Sequence, residues 1–191
     1  MNIALLPGHH PGSEGASVCA GKYQAWGENK LASHYLPQVA AELRKLGHNV
    51  VITERKAAGG ATPSYSAKAA NATGADIALE WHFNSATPSA TGCEVMYWGK
   101  SASGKQFATR LGESIAEILG VKHRGALAVP TPDNRGTAAF SDSRMPFFMV
   151  EPCFAGSNPH DARALCAAIQ DGTWAPRVAK AINDAIRATY T

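Results

Sequence analysis

Side chains that bind metals or transfer protons follow three apolar segments of the sequence. His9 lies in the Gly- and Pro-rich loop of "LLPGHHPGSEGAS", His82 ends "DIALEWH", and Glu151 ends "PFFMVE". In open α/β sheets, functional residues collect at the carboxyl ends of the strands. If these segments are neighbouring strands, the three side chains lie along one edge of a single sheet.

Together with Glu28, these residues have the chemistry of a hydrolytic zinc site. A catalytic zinc commonly takes three nitrogen or oxygen ligands from the protein and leaves a fourth position for water. His9, Glu28 and His82 can supply such a set, with Glu28 in the first turn of a predicted helix. Glu151 then stays unligated, in the position that a general base requires.

Each residue also has an ordinary structural interpretation. His9 and His10 are compatible with a solvated turn, and Glu28 with an acidic helix start that favours the helix dipole. His82 is compatible with a core histidine bonded to a backbone carbonyl. Glu151 is harder to explain in this way, because a carboxylate after "FFMV" is costly to bury unless it is paired or functional.

The elements that must position these side chains alternate along the chain. Short apolar runs are separated by segments of helical periodicity, which is typical of an α/β domain with a mainly parallel, twisted sheet and helices on both faces. We predict one domain over residues 1–191. The predicted strands are 2–6, 49–53, 76–81, 93–98 and 147–151.

Two intervening segments bear on the site. A helix is predicted over 28–46, in which Pro37 should cause a kink or a break and Gly47 should mark the end. Residues 122–144 are rich in Pro, Gly and Arg, and they predict a long functional loop.

Composition, charge and motifs exclude several classes of protein. The 18 Lys and Arg residues exceed the 15 Asp and Glu residues by three, which is far from a nucleic-acid footprint. No run is apolar enough to span a membrane, and the first residues do not resemble a signal peptide, so we expect synthesis in the cytoplasm. GxSxG and P-loop motifs are absent from the sequence.

The cysteines give no sign of a thiolate site. The four cysteines form no CxxC pair and are predicted to be small core residues in a reducing compartment. Cys153 lies near Glu151 in sequence, but no basic neighbour is present that would activate a thiol nucleophile.

Taken in order, these segments resemble the zinc-dependent N-acetylmuramoyl-L-alanine amidases of the Amidase_3 type. The histidine loop resembles the family's Pro-Gly-His loop, and "GENKLASHYLPQVAAELRKLGHNVVITER" resembles its metal-binding glutamate and long helix. "GADIALEWHFNSA" is similar to the segment with the second metal histidine, and "MPFFMVEPCFAGSNPHDARAL" to the closing strand with the catalytic glutamate. The resemblance implies the family's zinc-exopeptidase-like fold.

Carried over to this sequence, the resemblance implies that His9, Glu28 and His82 bind zinc and that Glu151 is the catalytic acid/base. The family has Gly where this chain has His10. The choice between the two adjacent histidines therefore stays open, with His9 favoured because it follows the Pro-Gly step.

The resemblance also implies residues that contact substrate. Asn84 matches the family's His-x-Asn pattern, and either Arg124 or Arg135 can clamp a carboxylate or carbonyl of the substrate. Glu80 points to the same strand face as His82 and is a second candidate carboxylate, as a ligand or as a partner of a ligand.

The implied reaction is hydrolysis of the amide that joins N-acetylmuramic acid to L-alanine in peptidoglycan, with Zn²⁺ acidifying water and Glu151 transferring its proton. We expect a monomer that acts on peptidoglycan and binds neither nucleic acid nor membrane. The chain resembles a phage endolysin that a holin-type protein releases to the cell wall, with a prophage or bacterial amidase as the close alternative. Two other functions stay open: a zinc exopeptidase or N-acyl-amino-acid hydrolase, and a non-catalytic module that binds wall peptides.

Overall fold

A six-stranded sheet forms the centre of the protein. The computed structural model describes residues 1–131, 134 and 136–190. The strands are β1 (Asn2–Pro7), β2 (Asn49–Ile52), β3 (Ile77–Trp81), β4 (Cys93–Trp98), β5 (His123–Val129) and β6 (Phe147–Glu151). The α-helices are α1 (Glu28–Lys45), α2 (Pro63–Thr73), α3 (Ala102–Leu119), α4 (Thr137–Ser141), α5 (Pro159–Gln170) and α6 (Trp174–Tyr190), and a 3₁₀ helix covers Arg55–Ala58.

The sheet is mainly parallel, as the sequence predicts, with one antiparallel pair. The strand order is β2-β1-β3-β6-β4-β5, and β4 runs antiparallel to β6 while the other neighbours are parallel. A parallel connection needs a crossover of a dozen or more residues, usually with a helix. Residues 82–92, which join β3 to β4, contain no helix. This short connection explains why β4 runs in the opposite direction.

Helices cover both faces of the sheet, which confirms the predicted layering. Alternate residues of β1 point to opposite sides: Ile3 and Leu5 pack in one cluster with α1, α3, α5 and α6. Ala4 and Leu6 pack in the other cluster with α2 and α4. No helix in the described residues is long and apolar enough to cross a bilayer.

The prediction of a long loop over 122–144 is wrong. The segment contains the edge strand β5 and the short helix α4. A register shift occurs where His123 pairs with Cys93 and Gly125 with Glu94, and Gly125 has φ of 107°. The irregular register and the half-exposed edge position remove the two-residue apolar alternation by which a strand is recognised.

Pro37 does not interrupt α1. The helix is continuous from Glu28 to Lys45, with Pro37 on its exposed face. Ser33, one turn earlier, is also exposed, so water can hydrate the carbonyl that proline leaves without an amide donor. Gly47 follows the end of the helix with φ of 88°, in the left-handed conformation expected there.

Candidate metal centre and cleft

Three neighbouring parallel strands bring the predicted site residues to one edge of the sheet. His9 lies two residues after β1, His82 directly follows β3, and Glu151 is the last residue of β6. Because β1, β3 and β6 are adjacent in the sheet, their carboxyl ends meet. The shared edge expected from the apolar segments is present.

The Glu28 carboxylate lies between the two histidines. Its Oε1 accepts a hydrogen bond from the Ala16 amide at 2.9 Å and lies 3.3 Å from His9 Nε2. Its Oε2 accepts a hydrogen bond from the Phe83 amide at 3.2 Å and lies 2.9 Å from His82 Nδ1. Backbone donors therefore fix the orientation of a carboxylate that is 5% exposed.

The backbone of the histidine loop directs His9, rather than His10, toward Glu28. His9 has φ of 58°, an uncommon value for a residue other than glycine. The following turn is closed by hydrogen bonds between the backbones of His10 and Ser13. The His10 ring lies 2.9 Å from the Pro11 carbonyl through Nδ1. Of the two adjacent histidines, the structure brings His9 to the cluster.

Two glycines allow the loop backbone to approach these side chains. A Cβ at Gly8 would lie 2.5 Å from His82 Nδ1. A Cβ at Gly15, where φ is +80°, would lie 2.5 Å from His9 Cδ2 and 2.7 Å from Glu28 Oε1. Any larger residue at either position would displace one of these ring or carboxylate groups.

The donor atoms fit a divalent metal ion. His9, Glu28 and His82 each offer a ligand atom, and these atoms lie within 4.8 Å of one another. Two donors bound tetrahedrally at about 2.0–2.1 Å from zinc lie roughly 3.3 Å apart. The separation of 3.3 Å between Glu28 Oε1 and His9 Nε2 matches that value, and the other oxygen, Oε2, lies 2.9 Å from His82 Nδ1.

The electrostatics of the cluster also favour a cation. Burial raises the pKa of Glu28, but the hydrogen bonds with His82 and His9 outweigh it and lower the pKa to about 2. Burial lowers the pKa of His82, and the contacts with Glu28 and Glu80 outweigh it and raise the pKa to about 10. Buried negative charge thus holds a proton on His82, a proton that a bound metal would displace.

Glu80 is not part of this three-residue cluster but lies behind His82. Its side chain is fully buried, and its Oε1 accepts hydrogen bonds from Arg55 Nη2 at 3.0 Å and from Ser66 Oγ at 2.6 Å. Its Oε2 lies 3.7 Å from His82 Nε2. Neither Arg55 nor Ser66 was predicted from the sequence, although a glutamate inside a buried strand indicates that a cationic partner is needed.

Glu151 belongs to the same open cleft as the three donors. The cleft has a volume of about 370 Å³, and its lining includes His9, Glu28, Arg55, His82, Asn84 and Glu151. Glu151 is 5% exposed, and its charge contributes to the raised pKa of His82.

Of the three residues predicted to contact substrate, the structure places one, Asn84, on the cleft. Asn84 lines the cleft, and its Nδ2 donates to Glu94 Oε2 at 3.1 Å. Arg124 does not line the cleft as the described residues form it; its Nε donates to Glu94 Oε1 at 2.5 Å and its guanidinium lies over the Phe154 ring. Arg135 lies outside the described residues.

The family model described as N-acetylmuramoyl-L-alanine amidase, Amidase_3, matches residues 3–188. The chain belongs to this amidase family. Among curated protein sequences, none matches the chain.

Several solved structures have the same fold as this chain. Cwp6 from Clostridium difficile has a TM-score of 0.79 and 23% identity, with 97% of this chain and 29% of that chain covered. The catalytic domain of the CD27L endolysin, which targets Clostridia difficile, has a TM-score of 0.74 and 23% identity, with 100% of this chain and 99% of that chain covered. The amidase AmiC2 of Nostoc punctiforme has a TM-score of 0.72 and 20% identity, with 98% of this chain and 96% of that chain covered. At these identities the likeness shows the shared fold.

Gly12 and Gly15, both in the histidine loop, give a matched test of the metal centre in this amidase. Gly12 and Gly15 both have positive φ, but a Cβ at Gly12 has no heavy atom within 4 Å. Gly12→Ala should therefore cost only the left-handed strain, about 1–2 kcal/mol of unfolding free energy. Gly15→Ala should also displace His9 or Glu28 and lower the affinity for Zn²⁺ at least about tenfold.

Competition with a chromogenic chelator measures the zinc affinity, and urea unfolding measures the stability of each variant. Equal zinc affinities of the two folded variants would contradict the placement of Gly15 against the donor atoms.

Proposed function

We propose that this amidase uses Zn²⁺ held by His9, Glu28 and His82 to hydrolyse the amide between N-acetylmuramic acid and L-alanine in peptidoglycan. The observation that carries the proposal is the convergence of the three donor atoms within 4.8 Å, in the cleft that Glu151 also lines. Membership of the N-acetylmuramoyl-L-alanine amidase family supports the proposal that this amide is the bond that is cleaved.

The metal and the protein have separate tasks in this reaction. When bound, Zn²⁺ supplies a Lewis acid that polarises the amide carbonyl and makes water acidic near neutral pH. Glu28 and the two imidazoles hold the ion, and the Ala16 and Phe83 amides hold the Glu28 carboxylate. The fixed carboxylate reduces the reorganisation that metal binding requires.

Glu151 is proposed to move the proton. Its carboxylate removes a proton from the attacking water and then donates that proton to the amide nitrogen as the C–N bond breaks. The position of Glu151 at the end of β6, on the cleft and outside the cluster of donor atoms, supports this role.

Substrate contacts follow from the cleft. Asn84 is proposed to bind the peptide, since it lines the cleft that Glu151 also lines, with its Nδ2 bonded to Glu94. Arg124 is bonded to Glu94, so a contact between Arg124 and substrate requires the guanidinium to exchange partners. A substrate contact by Arg135 stays a prediction from the sequence.

We also propose that the enzyme acts as a monomeric phage endolysin that is released to the cell wall. The support is the end-to-end fold likeness to the catalytic domain of the CD27L endolysin.

Substitutions at the cleft separate metal binding from proton transfer. Glu151→Gln should keep one zinc ion per chain and reduce amide cleavage by at least about 10²-fold, because only the proton carrier is removed. His82→Ala should lose both the zinc and the activity. Elemental analysis measures the zinc, and mass spectrometry of digested sacculi identifies the cleaved bond.

His10→Ala is the matched control, because the His10 ring is bonded to the Pro11 carbonyl and is not one of the three cluster residues. It should keep both zinc and activity. Release of stem peptides by Glu151→Gln at a near wild-type rate would refute the acid/base role. Release of free amino acids from small N-acyl substrates, with intact sacculi, would favour an N-acyl-amino-acid hydrolase instead.

The endolysin role is tested by expression in a susceptible bacterium with and without a hole-forming membrane protein. We expect rapid loss of turbidity only when both proteins are present. If the enzyme digests the isolated walls of this bacterium but the culture survives expression of both proteins, the result would argue against this role.

A further inference from the structure

Glu80 is held in place by two residues that come from other elements. Its Oε1 accepts hydrogen bonds from Arg55 Nε at 3.1 Å, Arg55 Nη2 at 3.0 Å and Ser66 Oγ at 2.6 Å. Ser66 Oγ in turn accepts a hydrogen bond from Arg55 Nε at 2.8 Å. Arg55 belongs to the 3₁₀ helix and Ser66 to α2, so both pack against the face of β3 that carries Glu80.

The second oxygen of Glu80 has a different environment. Among the described residues, Glu80 Oε2 and His82 Nε2 are both buried and make no hydrogen bond. The two atoms face each other at 3.7 Å. Burying two polar atoms without partners is costly, and a proton on Nε2 attracts Oε2, so that a shift of a few tenths of an ångström from the present 3.7 Å would make a hydrogen bond.

The other nitrogen of His82 faces the metal centre. Its Nδ1 lies 2.9 Å from Glu28 Oε2, and His82 is one of the three residues of the donor cluster. Histidines that bind metals commonly donate their second ring N–H to a carboxylate, which fixes the tautomer and the ring orientation. The arrangement of His82 between Glu80 and Glu28 has this form.

We propose that Glu80, fixed by Arg55 and Ser66, is a positioning residue that holds the His82 proton on Nε2 and so presents the Nδ1 lone pair to the metal. This inference rests on the proposed zinc site and extends it by three residues that bind no metal themselves. Arg55 lines the cleft but is committed to Glu80, Ser66 and the Ala61 carbonyl. Its role here is therefore to fix Glu80.

The test must remove the carboxylate without leaving a buried charge unpaired. Glu80→Gln alone leaves Arg55 without its partner, and breaking a buried ion pair in this way is strongly destabilising. The double variant Arg55→Gln/Glu80→Gln removes both charges. We expect it to fold, and its affinity for Zn²⁺ to be about 10- to 100-fold lower than that of the parent protein.

Glu42→Gln is the control for the change of carboxylate to amide, since Glu42 pairs with Lys45 on the exposed side of α1. Its zinc affinity should equal that of the parent. Chelator competition on the folded proteins measures all three affinities. A double variant that binds zinc within about twofold of the parent would overturn the role of Glu80 and leave the proposed zinc enzyme intact.

A second measurement uses the parent protein alone. Proton–nitrogen correlation spectra of the His82 imidazole in the zinc-loaded protein should show the proton on Nε2. A proton on Nδ1 would overturn the proposal even if the double variant did not fold. A parent protein that binds no zinc would instead contradict the proposed function on which this inference rests.

Discussion

The contact of the Glu28 carboxylate with two imidazoles is the interaction on which the rest of the site depends. Glu28 begins α1, yet its oxygens lie within 3.3 Å of a histidine from the loop after β1 and of one from the end of β3. The Ala16 and Phe83 amides fix the same carboxylate. Three parts of the chain distant in sequence are thereby joined at the carboxyl edge of the sheet.

Buried negative charge explains why this edge suits a cation. Glu28, Glu80 and Glu151 are exposed by 5%, 0% and 5%, and Arg55 is a buried cation that faces Glu80. Carboxylates taken out of water are stable only when they are paired or coordinate a metal. Glu80 is paired with Arg55, and Glu28 contacts the two imidazoles in the cleft that Glu151 also lines, which is where the proposed divalent ion would bind.

Apolar runs were sufficient to predict most of the fold and the three strand ends at the cleft. The run that ends at His82 and the run that ends at Glu151 are buried strands, for which the pattern is strong. The edge strand β5 was not predicted, because its shifted register and half-exposed position remove the alternation of apolar and polar residues. The role of Arg55 was not predicted, because its partner Glu80 is 25 residues away in sequence and only the tertiary fold brings the two together. The metal and proton-transfer roles of the site residues remain predictions.

The central claim is that one divalent ion binds between His9, Glu28 and His82. Anomalous diffraction from crystals of the zinc-loaded protein, recorded on both sides of the zinc absorption edge, tests this directly. We expect one strong peak bonded to His9, Glu28 and His82, with Glu151 facing it across the cleft. No peak at this position, or a zinc ion bound by other side chains, would contradict the account.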